Sequence, residues 1–190
     1  MWNKNQIIKF LEKNLDKQRF EHSLRVMDTA EKLAIHYGIN VEKAKIAGLI
    51  HDCAKNMNDE EMKNIIIDNN YNYNDIYIKT AALMHGLVGG IIAKNIMGIE
   101  DQEILNSVIY HTTGRENMSM LEKIIYISDY IEPMRKFEGI ENIRNMVYRD
   151  LDEALLLTFD RTINYIISKG QPLHLDTIKG RNFLIMKKCR

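Results

Sequence analysis

Six residues scattered over the first two thirds of the chain have side chains that bind transition metals. They are four of the six histidines and two aspartates: His22, His51, Asp52, His85, His111 and Asp129. Imidazole and carboxylate together suit first-row transition metals, and histidine can ligate a metal while it is neutral. Six ligands are too many for one tetrahedral site and suffice for two metals that share a bridging carboxylate. Two metals held side by side commonly attack phosphate esters and anhydrides.

The spacing of apolar residues tells where these side chains point. Apolar positions recur every three or four residues and β-branched alternation is nearly absent, so the sequence predicts an all-α fold. Five predicted helices each carry a ligand position on the apolar face; His51, for example, follows Ala44 by seven residues and Ala47 by four. A buried carboxylate is costly unless it is paired or binds a cation, so an inward-facing Asp52 and Asp129 favour a metal.

Asp52 directly follows His51, so the two side chains leave a helix about 100° apart. They can serve one metal only if it lies between these directions, near the helix end. Because a carboxylate has two oxygens, Asp52 can also reach a second cation. We assign Asp52 the bridging position as a hypothesis.

Capping residues and glycines divide the chain into predicted helices. Their ranges are about 2–16, 18–37, 41–54, 59–68, 74–85, a segment from 86 to 98, then 102–111, 120–132, 140–169 and a short helix from 176. Asn58 with Glu61, and Ser119 with Glu122, have the spacing of capping boxes. We expect three glycines to loosen the helix after His85: Gly86, Gly89 and Gly90.

Length and composition indicate one domain. The chain has 190 residues, 45% of them hydrophobic, and no Gly/Ser/Pro-rich linker divides it. We expect a single domain over 1–190, with a metal-binding core over about 18–132 and C-terminal helices over about 140–190. The 26 basic and 26 acidic residues balance, so the charge gives no support for a nucleic-acid partner.

Cysteine usage and hydropathy indicate a location. Cys53 and Cys189 form neither a CxxC pair nor a disulfide framework, which favours a reducing compartment. No apolar run has the length of a membrane span or of a signal-peptide core. We therefore expect a cytoplasmic protein without a membrane partner. The sequence leaves the oligomeric state open, with a homodimer as one alternative.

Several residues near the ligands could bind a phosphorylated substrate. Lys55 lies one helical turn beyond His51 and can place an ammonium over phosphates, although a solvated lysine at a helix end is the competing interpretation. Hydroxyls, a flexible backbone position and a guanidinium directly follow His111, and two further arginines could extend the positive lining. These candidates are Thr112, Thr113, Gly114, Arg115, Arg25 and Arg135.

The ligand order H…HD…D resembles that of the HD-domain phosphohydrolases, and the added His85 and His111 resemble the binuclear branch of that superfamily. The closer similarity is to the YqeK-like HD hydrolases, which act as symmetrical bis(5′-nucleosyl)-tetraphosphatases. It covers nearly the whole chain. The motifs that carry it are FEHSLRV, AGLIHDCAK, MHGLVGG and YHTTGRENMSMLEKIIYISDYIEP.

The resemblance implies a single-domain HD fold and two iron ions. It places His22, His51, Asp52 and Asp129 on one ion and Asp52, His85 and His111 on the other. From the residue types alone, manganese, cobalt and nickel remain open. Asp52 and Lys55, the lysine of an HDxxK pattern, would be the catalytic residues.

The implied reaction splits diadenosine tetraphosphate and water into two ADP. We expect a hydroxide that bridges the two metals to attack the second phosphorus from one nucleoside. The alternatives are another HD-type enzyme, acting on nucleoside monophosphates, deoxynucleoside triphosphates or a cyclic dinucleotide, and a non-catalytic nucleotide sensor.

Overall fold

The computed structural model describes residues 1–71 and 80–189, which form ten α-helices and no β-strand. The predicted all-α fold is thus confirmed. The predicted helix start at Asn74 lies outside the described residues. The helices are α1 (Lys4–Asn14), α2 (Lys17–Tyr37), α3 (Val41–Ile50), α4 (Asp59–Asp68), α5 (Ala81–Asn95), α6 (Gln102–Ile109), α7 (Met120–Ile131), α8 (Ile140–Met146), α9 (Leu151–Ser168) and α10 (Leu175–Lys188).

Local capping signals set the beginnings of several helices. Both predicted capping boxes are present: the Asn58 and Ser119 side chains accept from the third helical N–H, and Glu61 and Glu122 accept from the cap N–H in return. At the other end of α2, Gly38 adopts a left-handed φ of 66°, as its position after the last helical residue predicts.

Two predicted helix ends were wrong, and both lie at ligand positions. Helix α3 ends at Ile50 rather than near Ala54, and α6 ends at Ile109 rather than at His111. The chain after α3 makes tight turns in which Lys55 N–H donates to Asp52 O. Asp52 and His111 therefore lie in turns just past helix ends, and their side chains are not held to a helical periodicity.

The predicted break after His85 was also wrong, because α5 runs unbroken through all three glycines. The glycines instead allow close packing against the end of α6. A Cβ at position 86 would lie 2.8 Å from Ile109 O, and one at position 90 would lie 2.5 Å from Ile109 Cγ1. The absence of side chains at these positions lets α5 bring His85 up to α6.

The last third of the chain also differs from the prediction. The predicted helix over 140–169 is two helices, because the chain turns after α8 and Asp150 caps α9 by accepting from Glu153 N–H. The final helix begins close to the predicted residue but is 14 residues long rather than short.

The helices that carry the ligand positions are packing neighbours. Helix α2 packs along α3 and α7, α3 also contacts α6 and α7, and α6 lies between α5 and α7. Gly48 makes the α2–α3 approach possible, since a Cβ there would lie 3.0 Å from Met27 Cα. None of the helices in the described ranges has both the length and the apolarity to cross a membrane.

Candidate metal centre

The six predicted ligand residues converge at the centre of this helical packing. The four imidazole rings meet edge to face in the order His22, His51, His111, His85, with ring centroids 5.2, 5.0 and 4.9 Å apart. All four are buried, and so is Asp52, which is 2% exposed. Residues that are up to 107 positions apart in sequence (22 to 129) thus form one cluster.

Asp52 stands between two pairs of histidines. Its Oδ2 atom lies 3.5 Å from His51 Nε2 and 3.8 Å from His22 Nε2. Its Oδ1 atom lies 3.1 Å from His85 Nε2 and 3.4 Å from His111 Nε2. Each carboxylate oxygen therefore faces a different histidine pair.

Asp129 completes the set on the Oδ2 side. Its Oδ1 atom lies 3.0 Å from His22 Nε2 and 4.0 Å from His51 Nε2. The ligand atoms of His22, His51 and Asp129 lie within 4.8 Å of one another, and so do those of His51, Asp52 and His111. The 3.0 to 4.0 Å distances from Asp129 Oδ1 are those expected of ligands that each stand about 2 Å from a shared ion.

The ring orientation of two histidines is fixed by the backbone. His51 Nδ1 lies 2.7 Å from Gly48 O, and His111 Nδ1 lies 2.7 Å from Val108 O. A carbonyl oxygen can only accept, so Nδ1 carries the proton in both rings. The unprotonated Nε2 then faces the cluster, which is the arrangement that metal-ligating histidines show.

The cluster contains buried polar atoms that the protein itself does not satisfy. In the part of the chain that the structure describes, three ligand atoms lack a hydrogen-bond partner: His22 Nε2, His51 Nε2 and Asp52 Oδ1. Buried polar atoms without partners are uncommon because each loses its interaction with water. Metal ions bound on the two sides of Asp52 would supply the missing partners, so these residues fit metal binding.

The protonation states of His85 and Asp52 also fit metal binding. Burial lowers the pKa of His85 to about 4, so its imidazole is neutral near pH 7. Burial opposes ionisation of Asp52, but the neighbouring His51 and His111 hold the pKa of its carboxyl well below its usual range. A neutral imidazole and a charged carboxylate are the forms that bind metals.

Three cationic side chains touch the same ligand atoms. Arg19 Nη1 lies 2.7 Å from Asp52 Oδ2, and Arg135 Nη2 lies 2.6 Å from Asp129 Oδ1. On the other side, Lys55 Nζ lies 3.9 Å from Asp52 Oδ1. Both sides of the cluster thus have a positive group at their edge.

A cleft of about 380 Å³ opens beside His22. Arg19, Arg25 and Arg135 line it together, so its wall carries three guanidinium groups next to the ligand cluster. A guanidinium offers several N–H donors in a plane and suits phosphate oxygens. The predicted positions Arg25 and Arg135 are therefore brought together with the ligands.

Among the residues after His111, Thr112 lies at the cluster. Its Oγ1 atom is 3.3 Å from His85 Nε2 and 3.2 Å from His111 Nε2. The hydroxyl of Thr113, by contrast, is buried and donates to Gly114 O. Thr112 is thus the hydroxyl that faces the ligand atoms.

Gly114 and Arg115 make contacts away from the cluster. Gly114 has a φ of +61°, and a Cβ there would lie 2.5 Å from Phe159 Cζ. Arg115 donates from Nε and Nη2 to the two carboxylate oxygens of Glu122, at 2.6 and 3.0 Å. A role for either residue in substrate binding stays a prediction.

Two residues of the site were absent from the sequence predictions. Arg19 was missed because nothing in its own helix distinguishes it from a solvated arginine. Glu132 was missed although it directly precedes Pro133 in the quoted IEP block; it is 3% exposed, and Oε1 lies 3.3 Å from His22 Nδ1. The available signal was a carboxylate on the apolar face of the predicted helix over 120–132.

Comparison with known proteins matches residues 19–134 to the HD domain. Two full-length relatives are the symmetrical bis(5′-nucleosyl)-tetraphosphatases of Halalkalibacterium halodurans and Bacillus subtilis. Both are 36% identical to this chain; the first match covers 98% of this chain and 99% of the relative, and the second covers 96% and 98%.

A solved structure is also similar. The crystal structure of a "predicted HD superfamily hydrolase involved in NAD metabolism" from Clostridium acetobutylicum has a TM-score of 0.96 and 49% identity, over 98% of this chain and 99% of that one. With this fold and these full-length relatives, the chain belongs to the HD-domain family and, within it, to the symmetrical bis(5′-nucleosyl)-tetraphosphatases.

Proposed function

We propose that this protein hydrolyses dinucleoside tetraphosphates symmetrically, converting diadenosine tetraphosphate and water into two ADP. The observation that carries the proposal is the position of Asp52, whose two oxygens face separate histidine pairs beside a cleft lined with arginines. A carboxylate in that position suits two cations, and the arginines suit a polyphosphate. The names of the full-length relatives support the same activity.

The metal would be held on two sides of Asp52. His22, His51 and Asp129 would join its Oδ2 atom, and His85 and His111 would join its Oδ1 atom. When bound, two such ions supply Lewis-acid activation of a phosphoryl group and of the attacking water. We propose iron as the metal, with manganese, cobalt and nickel as alternatives of similar ligand preference.

The protein's own side chains would position the substrate. Lys55 and Thr112 stand on the His85 side and would donate to non-bridging oxygens of the reacting phosphoryl group. On the other side, Arg19, Arg25 and Arg135 would bind the neighbouring phosphates in the cleft. The four phosphates of the substrate would then lie across the ligand cluster.

The reaction itself balances simply. Water adds to the second phosphorus from one nucleoside, and the bond from that phosphorus to the central bridging oxygen breaks. The oxygen leaves with the other half, so both products are nucleoside diphosphates. Because the leaving diphosphate gains negative charge, donors at the cleft would stabilise the transition state more than the bound substrate.

The test is product analysis with labelled water. The protein is purified without oxygen, its metal content is measured, and diadenosine tetraphosphate is hydrolysed in water enriched in ¹⁸O. We expect ADP alone, with one ¹⁸O in the β-phosphoryl group of half the molecules. Formation of ATP and AMP, or of orthophosphate, would refute symmetrical cleavage.

Competing substrates belong in the same experiment. Deoxynucleoside triphosphates, nucleoside monophosphates and cyclic dinucleotides test the other HD-type reactions. NAD tests whether a dinucleotide with only two phosphates is cleaved. It is included because the Clostridium relative is described as involved in NAD metabolism. Faster turnover of any of these than of diadenosine tetraphosphate would assign a different substrate.

The state of the two cysteines bears on where the protein resides. Both cysteines are free, and Cys53 is buried, where burial raises the pKa of its thiol to about 12 and leaves it unreactive. Free thiols fit a reducing compartment, so we propose the cytoplasm. A homodimer stays a prediction.

A further inference from the structure

We propose that Glu132 is a positioning residue that holds His22 in the tautomer required for metal binding and, with its second oxygen, fixes Arg25 in the cleft. The inference rests on the proposed function, because it takes His22 to be a metal ligand. It assigns a role to a residue outside the ligand set.

Glu132 is a buried carboxylate with a complete set of partners. It follows α7 directly and is 3% exposed. Oε1 lies 3.3 Å from His22 Nδ1, while Oε2 accepts from Arg25 Nε at 2.7 Å and from Met134 N–H at 2.8 Å. Three donors offset the cost of burying the charge, and together they leave the carboxylate one orientation.

The contact with Oε1 places an acceptor at Nδ1 of His22. Nε2 also faces a carboxylate, that of Asp129, so with a cation bound at Nε2 the ring proton would reside on Nδ1, where Glu132 Oε1 would accept it. That Nε2 atom lies 3.0 Å from Asp129 Oδ1 and 3.8 Å from Asp52 Oδ2, among the other ligand atoms. Glu132 therefore aims His22 at the proposed metal.

Two of the other ligand histidines have a backbone acceptor at Nδ1 that His22 lacks. His51 and His111 lie at or after helix ends, where Gly48 O and Val108 O are available to accept from Nδ1. His22 lies inside α2, where the backbone carbonyls of the preceding turn are used by the helix. At this position the side chain of Glu132, just after α7, supplies the acceptor instead.

The second oxygen of Glu132 orients an arginine in the substrate cleft. Arg25 lies three residues after His22, on the same side of α2, and both line the cleft. One carboxylate thus orients a metal ligand through Oε1 and a phosphate-binding arginine through Oε2. A change at Glu132 should affect both, whereas a change at Arg25 alone should leave the metal ligand in place.

Glutamine is the informative replacement because it keeps the size and loses one acceptor. Its single carbonyl would satisfy the two donors at Oε2, Arg25 and Met134, which places the NH₂ group against His22 Nδ1. A donor at that position favours a proton on Nε2 of His22, the nitrogen that should bind the metal. Loss of such an outer partner typically weakens metal binding on the order of 10- to 100-fold.

The experiment is a titration of metal-free protein with Co²⁺ without oxygen, followed by visible absorption. We expect two bound ions in the unaltered protein. In Glu132→Gln we expect one of the two to bind on the order of 10- to 100-fold more weakly, with a changed absorption spectrum. The matched control is Glu122→Gln in α7, which removes a buried carboxylate that holds Arg115 away from the ligand cluster, and should leave both binding steps unchanged.

Circular dichroism checks that each variant folds. Glu132→Asp is the second variant, since a side chain shorter by one methylene cannot reach both His22 and Arg25. If the folded Gln and Asp variants bound two Co²⁺ ions with unaltered affinities, the proposed role of Glu132 would be overturned and the metal centre would stand. Equal weakening in Glu122→Gln would overturn it as well. Failure of the unaltered protein to bind Co²⁺ would overturn the metal centre and this inference together.

Discussion

The guanidinium of Arg19 lies 2.7 Å from Asp52 Oδ2, the carboxylate oxygen that also faces His22 and His51. An arginine thus occupies the side of Asp52 where the proposed metal would bind. With a cation held at this carboxylate, Arg19 would turn to a phosphate in the adjoining cleft. The same side chain would serve the metal-free protein as a counter-ion and the loaded protein as a substrate contact.

Arg19→Met should separate these two roles. The variant leaves Asp52 without its counter-ion in the metal-free state, so metal binding relieves a larger penalty and should tighten, by about 3- to 10-fold. Loss of a charged contact to phosphate should raise KM by about 10-fold or more. A metal titration and steady-state kinetics measure both effects.

Arg181→Met is the matched control, since Arg181 pairs with Asp160 away from the site. It should change neither metal affinity nor KM. If Arg19→Met bound metal more weakly than the unaltered protein, Arg19 would be a support for the centre rather than a competing cation.

His85→Ala should lower the metal content from close to two ions per chain to close to one. His85 Nε2 lies 3.1 Å from Asp52 Oδ1, and only His111 would remain on that side of the carboxylate. Activity should fall with the metal content, by more than about 100-fold. Elemental analysis and product chromatography measure the two quantities.

His36→Ala serves as the control because His36 is exposed and contacts only Tyr37 and Tyr148 among the ring contacts of the described residues. It should retain both metal and activity. A His85→Ala variant with two ions and full turnover would contradict a centre of two metals.

Lys55→Met should impair turnover while the metal content stays nearly unchanged. The ammonium lies 3.2 Å from His85 Nε2 and 3.9 Å from Asp52 Oδ1, but it cannot itself bind a cation. Removing one donor to a developing negative charge costs about 100- to 1000-fold in kcat. Metal analysis beside single-turnover kinetics distinguishes the outcomes, and loss of metal would make Lys55 a structural residue instead.

What the sequence could predict depended on the range of the interaction. The caps at Asn58 and Ser119 were predictable because each involves residues three positions apart. The ligand residues were predictable because their chemistry and apolar spacing are both present in the sequence. By contrast, Arg19 meets Asp52 from 33 positions away and Glu132 meets His22 from 110, and no periodicity records such contacts.

The helix ends at the site were not predictable for a different reason. The apolar pattern continues past Ile50 to the buried Cys53 and Ala54, so hydropathy alone extends α3. The structure ends the helix because the turn residues form other hydrogen bonds, such as that of His51 Nδ1 with Gly48 O. Polar side chains that compete with helical hydrogen bonds are invisible to a hydrophobic pattern.

The metal-free protein should lose stability as the pH falls from about 6.5 to about 4. Burial lowers the pKa of His85 from its usual value of 6.5 to about 4 in the folded protein. Between these values the unfolded chain binds a proton that the folded protein does not, so the free energy of unfolding falls with decreasing pH. Below pH 4, the free energy of unfolding should be lower by about 3 kcal/mol because of this residue.

Comparison with His85→Gln isolates this contribution from other groups that titrate. His51, for example, acts in the opposite direction: burial opposes its charging, but Asp52 outweighs burial and raises the pKa of His51. Denaturant unfolding of both metal-free proteins at several pH values supplies the measurement. The difference between them should grow in favour of the variant as the pH falls; a constant difference would show that His85 titrates alike in both states.

Gly114→Ala should destabilise the fold through packing rather than through lost phosphate binding. Gly114 has a left-handed φ of +61°, which costs an alanine about 1–2 kcal/mol. In addition, the new Cβ would lie 2.5 Å from Cζ of Phe159, which is fully buried and cannot move aside. Overpacking of this kind costs about 1–3 kcal/mol more.

Gly170→Ala is its matched control, since Gly170 has a φ of +62° and no atom within 4 Å of an added Cβ. This variant should lower the free energy of unfolding only by the cost of placing alanine at a left-handed φ, about 1–2 kcal/mol. Thermal unfolding of both variants gives the difference, which at this chain length corresponds to about 2–4 °C per kcal/mol. If Gly114→Ala instead melted like Gly170→Ala and showed a raised KM, close approach of the backbone to phosphate would be the reason for a glycine at position 114.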